Sequence, residues 1–486
     1  MTAEPQSLGR IALRGGVFTA GAQAAKMVIQ LLSVVILARL LAPEDFGLVA
    51  SVGPIVAFVG LFQNLGLQQA VIQRPQIDQA QLNRVFWISA LAGLVCTAAA
   101  AALSPAVSAF YGDARMTGIT LAAALPLLFG SLAALPLALM NRHLQFGQLA
   151  INDVLTAMAG LVAAVAAAYA GLGYWSLVIG PAVGAVVTLL GAWWATRWQP
   201  GRPDVKVDRE ILSFGANLTG FNLVNFFSRN LDNILIGKFS GPIELGYYDR
   251  AYKLLLFPLQ NINQPLSRLM VPLLSRIQDD KPRFRDLYLR TNWLLAAITV
   301  PGIAALTIAA EPVVSILFGE RWLPVAPIFA WLGIAGLMQP VSSTTGWIFI
   351  CQGKTSTMFR WGIYSALTTV LSFVVGLKWG AVGVAAAYAV SGYVLRLPVL
   401  AVLMQRVGPV SSVDFLMVQA LLIVAAAVAW VGYGYLLETL VGQSNILAAA
   451  SAAILSYAVA LIFMLAVPQS RRALAEAWKT VARNIR

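Results

Sequence analysis

Apolar stretches of about 20 residues recur along the whole chain and are separated by short polar connections. Each stretch is long enough for a helix to cross a bilayer. The stretches are rich in Ala, Leu and Val, unlike the weak alternating pattern of membrane β-strands. They predict an all-α polytopic membrane protein with about 14 transmembrane helices. The predicted spans are residues 16–38, 47–67, 85–103, 117–140, 151–170, 174–196, 213–236, 251–275, 291–310, 325–350, 361–377, 380–404, 415–437 and 445–467.

The basic residues follow these spans in a regular way. The chain carries 33 Lys and Arg residues against 20 Asp and Glu, a net charge of +13. With the N-terminus placed inside, 22 of the 33 fall in inner connections or tails, six in outer connections and five within spans. Cytoplasmic segments of membrane proteins carry such an excess. The pattern therefore predicts a bacterial inner-membrane protein with both termini in the cytoplasm, and it accounts for the basic balance without a nucleic-acid partner.

An internal repeat relates two loop segments. Arg39–Gly47 (RLLAPEDFG) and Lys238–Gly246 (KFSGPIELG) share base, Pro, acid and Gly at an offset of 199 residues. Phe110–Asp113 matches Leu317–Glu320 at an offset of 207, as does Gly173 with Gly380. The offset covers six helices, an even number, so both copies run in the same direction through the membrane. Parallel repeats of this kind build transporters whose site lies between the halves.

The repeat divides the chain into four predicted parts. Residues 1–200 form one lobe of six helices, and residues 201–407 form a second, pseudo-symmetric lobe parallel to it. Residues 408–470 add two C-terminal helices, and residues 471–486 form a basic amphipathic tail on the cytoplasmic side. Such a tail is typical of a helix that lies on a lipid surface, and we prefer that interpretation to a protein-binding role.

Polar side chains form stripes on three of the predicted helices. On the first helix they recur at steps of three and four residues, which places them on one face, and four of the five positions are again polar 199 residues later. Because polar groups are costly in a bilayer, such stripes face a bundle interior or a wet cavity. The predicted substrate-binding residues are Gln23, Lys26 and Gln30 on the first helix, Asn222, Asn225 and Arg229 on the seventh, and Lys253, Gln260, Gln264 and Arg268 on the eighth. Asp232, the one acid in these stripes, is the predicted ion-coupling residue.

Simpler explanations stay open for several of these residues. Lys26, Lys253 and Arg268 can extend towards the membrane surface, Arg229 and Asp232 can form an ion pair with each other, and the amides can join neighbouring helices. The surplus of cations in the stripes nevertheless suits an anionic substrate with a phosphate or pyrophosphate group.

Motifs for catalysis, metal binding and cofactors are missing from the sequence. His143 is the only histidine, and no P-loop, HExxH, GxSxG or Cys/His cluster is present. We therefore predict a protein that is not an enzyme and has no catalytic residues, metal site or cofactor, apart from a coupling H⁺ or Na⁺.

Three segments carry a family resemblance: Gly15–Gln23 (GGVFTAGAQ), Ala38–Ala50 (ARLLAPEDFGLVA) and Leu317–Trp322 (LFGERW). With the arrangement of six, six and two helices, they resemble the polysaccharide transporter branch, with its Wzx-like flippases, of the multidrug/oligosaccharidyl-lipid/polysaccharide exporter superfamily. The resemblance implies two lobes around a cationic cavity lined by helices 1, 2, 7 and 8. It implies a flippase that moves undecaprenyl-pyrophosphate-linked oligosaccharide units to the periplasmic leaflet by alternating access, for exopolysaccharide, capsule or O-antigen synthesis. Coupling to H⁺ or Na⁺ is usual in the superfamily.

Two other functions are alternatives. One is an ion-coupled drug or metabolite antiporter of the same superfamily, which a basic cavity with one acid fits poorly. The other is a polymerase or ligase of polyprenyl-linked sugars, which would be expected to have a large periplasmic loop. Besides the lipid-linked oligosaccharide and membrane lipids, the expected partners of a flippase are a polysaccharide polymerase and a chain-length regulator.

Overall fold

The computed structural model describes residues 5–63, 68, 71–72, 77–202, 226, 230–440 and 444–485, and it divides into two compact units, 1–246 and 247–486. Within the described residues, unit 1 contains α1 (Pro5–Leu40), α2 (Pro43–Gly60), α3 (Gln79–Tyr111), α4 (Arg115–Arg142), α5 (Phe146–Tyr169), α6 (Trp175–Thr196), a helical segment at 230–239 and the start of α7 (Gly241–Arg276).

Unit 2 continues α7 and adds the remaining helices. They are α8 (Lys281–Ile308), α9 (Ala310–Phe318), α10 (Val325–Ser343), α11 (Thr345–Cys351), α12 (Thr355–Gly376), α13 (Gly380–Ser391), α14 (Leu397–Val407), α15 (Ser412–Leu440), α16 (Asn445–Ala466) and α17 (Pro468–Ile485). Short 3₁₀ turns at Glu320–Trp322 and Leu377–Trp379 and a π-helical turn at Gly392–Arg396 connect some of them.

Eleven helical stretches of the described chain are long and apolar enough to cross a membrane, which confirms a multi-pass membrane protein. One of them, Thr355–Val407, contains two predicted spans, because the chain turns between α12 and α13 at Leu377–Trp379. The eleven stretches thus cover twelve of the predicted spans. Span 213–236 lies largely outside the described residues, and span 251–275 lies in α7, which is not among the eleven. The count of fourteen stays a prediction.

The two copies of the repeated loop segment contact each other within unit 1. A Cβ added to Gly47 would lie 1.6 Å from the carbonyl oxygen of Pro242, and one added to Gly246 would lie 2.0 Å from that of Pro43. Each glycine is therefore needed for the close approach of the other copy's proline. This reciprocal contact is the arrangement expected of two copies related by an approximate two-fold axis. The division of the chain near residue 200 stays a prediction, since 203–225 are outside the described residues.

The second pair of repeated loops places a glycine with positive φ at corresponding positions, although the two ψ angles differ (25° and 170°). Gly112 and Gly319, which correspond in the repeat, have φ of +76° and +93°, a region that glycine enters without steric cost. In the first copy, Arg115 donates to Asp113 (Nε–Oδ1 3.1 Å) and pairs with Glu44 (Nη2–Oε1 2.7 Å). The Arg115 guanidinium holds the pKa of the Asp113 carboxyl below its usual range. The arginine thus ties the first repeated segment to the α3–α4 turn.

The C-terminal helices are anchored on the first turns of α8. Arg285 donates two hydrogen bonds to the buried carboxylate of Asp414 on α15, with Nε–Oδ2 and Nη2–Oδ1 distances of 2.8 and 2.6 Å. Arg290 pairs with Glu476 on α17. The predicted basic tail is thus a helix that begins at Pro468, and one of its faces is in contact with α8, while its contact with lipid stays a prediction.

Candidate functional site

The predicted stripe on α1 lies on an accessible face of the helix. Gln23 and Gln30 are exposed and Lys26 is half-buried, while Ile29 and Leu37 of the same helix are buried in unit 1. Apolar residues of the same turns, among them Val28 and Leu32, are exposed as well, so exposure alone does not distinguish the stripe from the rest of the helix. These three residues stay predicted binding residues.

Lys26 forms an ion pair that the sequence did not reveal. Its Nζ lies 3.2 Å from Oδ2 of Asp153 on α5, and the side chains of the two residues are 32% and 54% exposed. Asp153 was not among the predicted site residues, since the predicted stripes lie on the first, seventh and eighth helices and not on α5. Its position inside a predicted span was a usable signal, because an acid in a membrane helix usually faces a partner or a cavity.

Neighbouring residues of α5 fix the direction of Asp153. The buried Asn152 donates from Nδ2 to the carbonyl oxygen of Thr188 on α6 at 3.4 Å, and the hydroxyls of Thr156 and Thr188 lie 2.8 Å apart. These contacts hold one face of α5 on α6. The adjoining face, with Asp153, then meets α1.

A second paired lysine lies on α7 in unit 2. Lys253 Nζ is 2.9 Å from Oδ1 of Asp249, whose Oδ2 accepts a hydrogen bond from Arg250 Nε at 3.1 Å. The Asp249 and Arg250 side chains are only 7% and 8% exposed, whereas that of Lys253 is 54% exposed. Arg250, which precedes the predicted span 251–275, lies on α7, because this helix already begins at Gly241. The i, i+4 spacing of Asp249 and Lys253 was the available signal.

The structure describes the surroundings of only some of the remaining predicted site residues. Asp232 is buried, and one carboxylate oxygen accepts a hydrogen bond from the Asn233 main-chain N–H at 2.9 Å. Arg268 is exposed on α7. Asn222, Asn225 and Arg229 lie outside the described residues, and so do the side chains of Gln260 and Gln264. The cavity shared by Lys26 and Arg229 therefore stays a prediction.

A buried arginine was not assigned a role from the sequence. Arg396 ends the π-helical turn and is 6% exposed. It donates from Nη2 to the Tyr388 carbonyl oxygen at 2.6 Å and from Nη1 to the Thr369 hydroxyl, and its guanidinium lies 4.4 Å from the centre of the Tyr388 ring. Among the described residues no carboxylate forms an ion pair with it. A cation–π contact and neutral acceptors therefore stabilise this charge.

Metal-binding clusters are not found in the part of the chain that the structure describes, where no three His, Cys, Asp or Glu residues come together. The charged groups described above include, in each unit, a lysine ammonium group with a carboxylate partner. Ammonium groups and amides bind anions and hydroxyls.

A family comparison decides the classification. Residues 36–327, more than half of the chain, match the model of a family described as polysaccharide biosynthesis protein. The chain belongs to this polysaccharide biosynthesis family. Among similar proteins are the lipopolysaccharide biosynthesis protein WzxC of Escherichia coli (strain K12), 24% identical over 73% of each chain, and the succinoglycan biosynthesis transport protein ExoT of Rhizobium meliloti (strain 1021), 24% identical over 70% of this chain and 69% of that one.

Solved structures show the fold that this family member adopts. The lipid II flippase MurJ in an inward closed conformation matches with a TM-score of 0.72 at 15% identity, over 92% of this chain and 98% of MurJ. An inward-facing multidrug resistance MATE family transporter matches with a TM-score of 0.59 at 14% identity, over 78% and 95% of the two chains. The predicted all-helical exporter fold is thus confirmed.

Proposed function

We propose that this member of the polysaccharide biosynthesis family is an inner-membrane flippase. It moves undecaprenyl-pyrophosphate-linked oligosaccharide units from the cytoplasmic to the periplasmic leaflet by alternating access. The observation that carries the proposal is an accessible lysine, Lys26, on a polar face of α1, in a chain with the fold of a lipid II flippase. The similarity to ExoT, a succinoglycan biosynthesis transport protein, gives independent support.

The chemistry of the α1 face suits this substrate. The Lys26 ammonium would neutralise part of the pyrophosphate charge, and Gln23 and Gln30, one turn to each side, would exchange hydrogen bonds with sugar hydroxyls. Translocation makes and breaks no covalent bond, so the proposal includes no enzyme activity. The excess of Lys and Arg on one side supports an orientation with both termini in the cytoplasm.

Coupling to an ion gradient belongs to the same proposal. Asp232 is a buried acid on the helical segment at 230–239, where gain of H⁺ or Na⁺ would change the local charge. A polysaccharide polymerase and a chain-length regulator would act on the product in the periplasm, and they are the proposed protein partners.

The alternative within the same fold is a drug antiporter, since a MATE family transporter also matches. The two functions predict different substrates for the α1 face. A cationic drug would be repelled by Lys26, whereas a pyrophosphate would be attracted by it. The names of the polysaccharide relatives also favour the flippase.

The decisive experiment deletes the gene and asks on which leaflet lipid-linked oligosaccharide accumulates. Spheroplasts are treated with periodate, which does not cross the membrane and oxidises only sugars on the outer leaflet. We expect protected oligosaccharide in the deletion strain and oxidised oligosaccharide after complementation. Equal oxidation in both strains would contradict the proposal.

A further inference from the structure

The Lys26–Asp153 pair is more accessible than an ion pair that stabilises a fold. Its side chains are 32% and 54% exposed, with the Nζ–Oδ2 distance at 3.2 Å. In the water-filled cavity of the proposed function, pairs this exposed contribute little to stability, because water screens both charges. The contacts of Asn152 and Thr156 with Thr188 already hold α5 on α6. Packing therefore does not explain why an acid stands at position 153.

Both residues of the pair lie within predicted spans, Lys26 in 16–38 and Asp153 near the start of 151–170. Lys26 precedes the end of α1 at Leu40 by 14 residues, and Asp153 precedes the end of α5 at Tyr169 by 16 residues. At about 1.5 Å per residue these are distances of roughly 21 and 24 Å. Such distances fit within a hydrocarbon core about 30 Å thick. In the proposed topology the pair is nearer the cytoplasmic side, where the substrate enters.

We propose that Asp153 is a counter-ion that holds Lys26 between transport cycles and is displaced from it when the pyrophosphate head group binds. This inference rests on the proposed function. A pyrophosphate carries more than one negative charge and therefore competes well against a single carboxylate for the lysine. Displacement costs the carboxylate little interaction energy, since more than half of its side-chain surface is already exposed. After translocation the carboxylate pairs with the lysine again, and this competition speeds release of the head group.

Removal of the Asp153 charge should therefore tighten binding. We expect Asp153→Asn to bind inorganic pyrophosphate and farnesyl diphosphate roughly two- to fivefold more tightly than the wild type, as expected from losing one exposed competing charge. The measurement is titration calorimetry on the full-length protein in detergent. Asp153→Glu keeps the charge and should bind as the wild type does. Asp279→Asn, which changes an exposed acid of the α7–α8 turn, is the matched control and should leave the affinity for both probes unchanged.

The double variant tests whether Asp153 acts through Lys26. Lys26→Ala should weaken binding, and Lys26→Ala/Asp153→Asn should bind as weakly as Lys26→Ala alone. In proteoliposomes, Asp153→Asn should lower both the KM and the kcat for lipid-linked oligosaccharide, because the head group is held longer. A purely structural role would lower the melting temperature and leave the KM unchanged.

The outcomes separate this inference from the proposed function. Wild-type binding of the probes together with unchanged or weaker binding by a folded Asp153→Asn variant would overturn the counter-ion role alone. A folded wild-type protein that binds neither probe would contradict the pyrophosphate site itself and the counter-ion role with it.

Discussion

Gly47 lies against the main-chain carbonyl of Pro242, so close that an added Cβ would be 1.6 Å from the oxygen. The repeat mates Gly246 and Pro43 make the reciprocal contact, with a distance of 2.0 Å for the added Cβ. Four backbone positions that correspond in the sequence repeat thus form one symmetric junction in unit 1. A main-chain carbonyl can approach this closely only where the residue that faces it has no Cβ.

Substitution at this junction should therefore be costly. Gly47→Ala and Gly246→Ala must push the two segments apart, and we expect each to destabilise the protein by about 1–3 kcal/mol, as overpacking does elsewhere. Gly53→Ala on the same helix is the control, because an added Cβ there meets nothing within 4 Å. Thermal unfolding in detergent measures the difference. If Gly47→Ala and Gly53→Ala have the same melting temperature, the junction is looser than described.

The proposed orientation can be tested at the two ends of α12. Lys354 precedes this helix and Lys378 follows it, and both are exposed, while the native Cys96 and Cys351 are buried. We expect a membrane-impermeant maleimide to label Lys378→Cys in intact spheroplasts and Lys354→Cys only after permeabilisation. Labelling of Lys354→Cys in intact spheroplasts, with Lys378→Cys labelled only after permeabilisation, would mean that the chain has the opposite orientation.

The buried acid Asp232 gives a prediction about coupling. Asp232→Asn keeps the shape of the side chain and removes its charge, so a coupled transporter should lose the dependence of transport on one ion gradient. Transport in proteoliposomes is measured under an imposed H⁺ gradient, an imposed Na⁺ gradient and neither. A folded variant that responds to every gradient as the wild type does would leave Asp232 with a structural role only.

The buried Arg396 should not tolerate a conservative change. Arg396→Lys keeps the charge but loses the planar guanidinium that stacks on Tyr388 and donates to the Tyr388 carbonyl and the Thr369 hydroxyl. We expect a loss of about 1–3 kcal/mol in stability, because a buried charge is left with fewer partners. Tyr388→Phe keeps the ring and the carbonyl and should cost much less. Equal melting temperatures for the two variants would contradict this assignment.

Much of the fold was predictable because the bilayer imposes a strong pattern. The spans and their short connections follow from hydropathy. The repeat follows in part from the glycines at 47, 112, 246 and 319, which occupy positions where the backbone geometry favours a residue without a Cβ. The helix that carries the α1 stripe was predictable for the same reason, whereas the binding role of the stripe stays a prediction.

The partners of the charges were harder to predict. Asp153 meets Lys26 across 127 residues, and no local spacing encodes such a contact. Arg396 is stabilised by an aromatic ring and neutral oxygens, so no acid in the sequence marks its site. The start of α7 at Gly241 was missed because its charged first turns resemble a loop, although Asp249 and Lys253 neutralise each other on the helix.

Translocation by the purified protein tests the central claim most directly. Wild type, Lys26→Ala and the exposed control Arg202→Ala are reconstituted into proteoliposomes that contain a lipid-linked oligosaccharide, under imposed H⁺ and Na⁺ gradients. The fraction of oligosaccharide that added periodate oxidises reports its arrival on the outer leaflet. We predict rapid transfer by the wild type and Arg202→Ala and transfer slowed roughly ten- to a hundredfold in Lys26→Ala, as expected for loss of one charge contact to the head group. Transfer by the wild type no faster than in protein-free liposomes, under every gradient, would contradict the account.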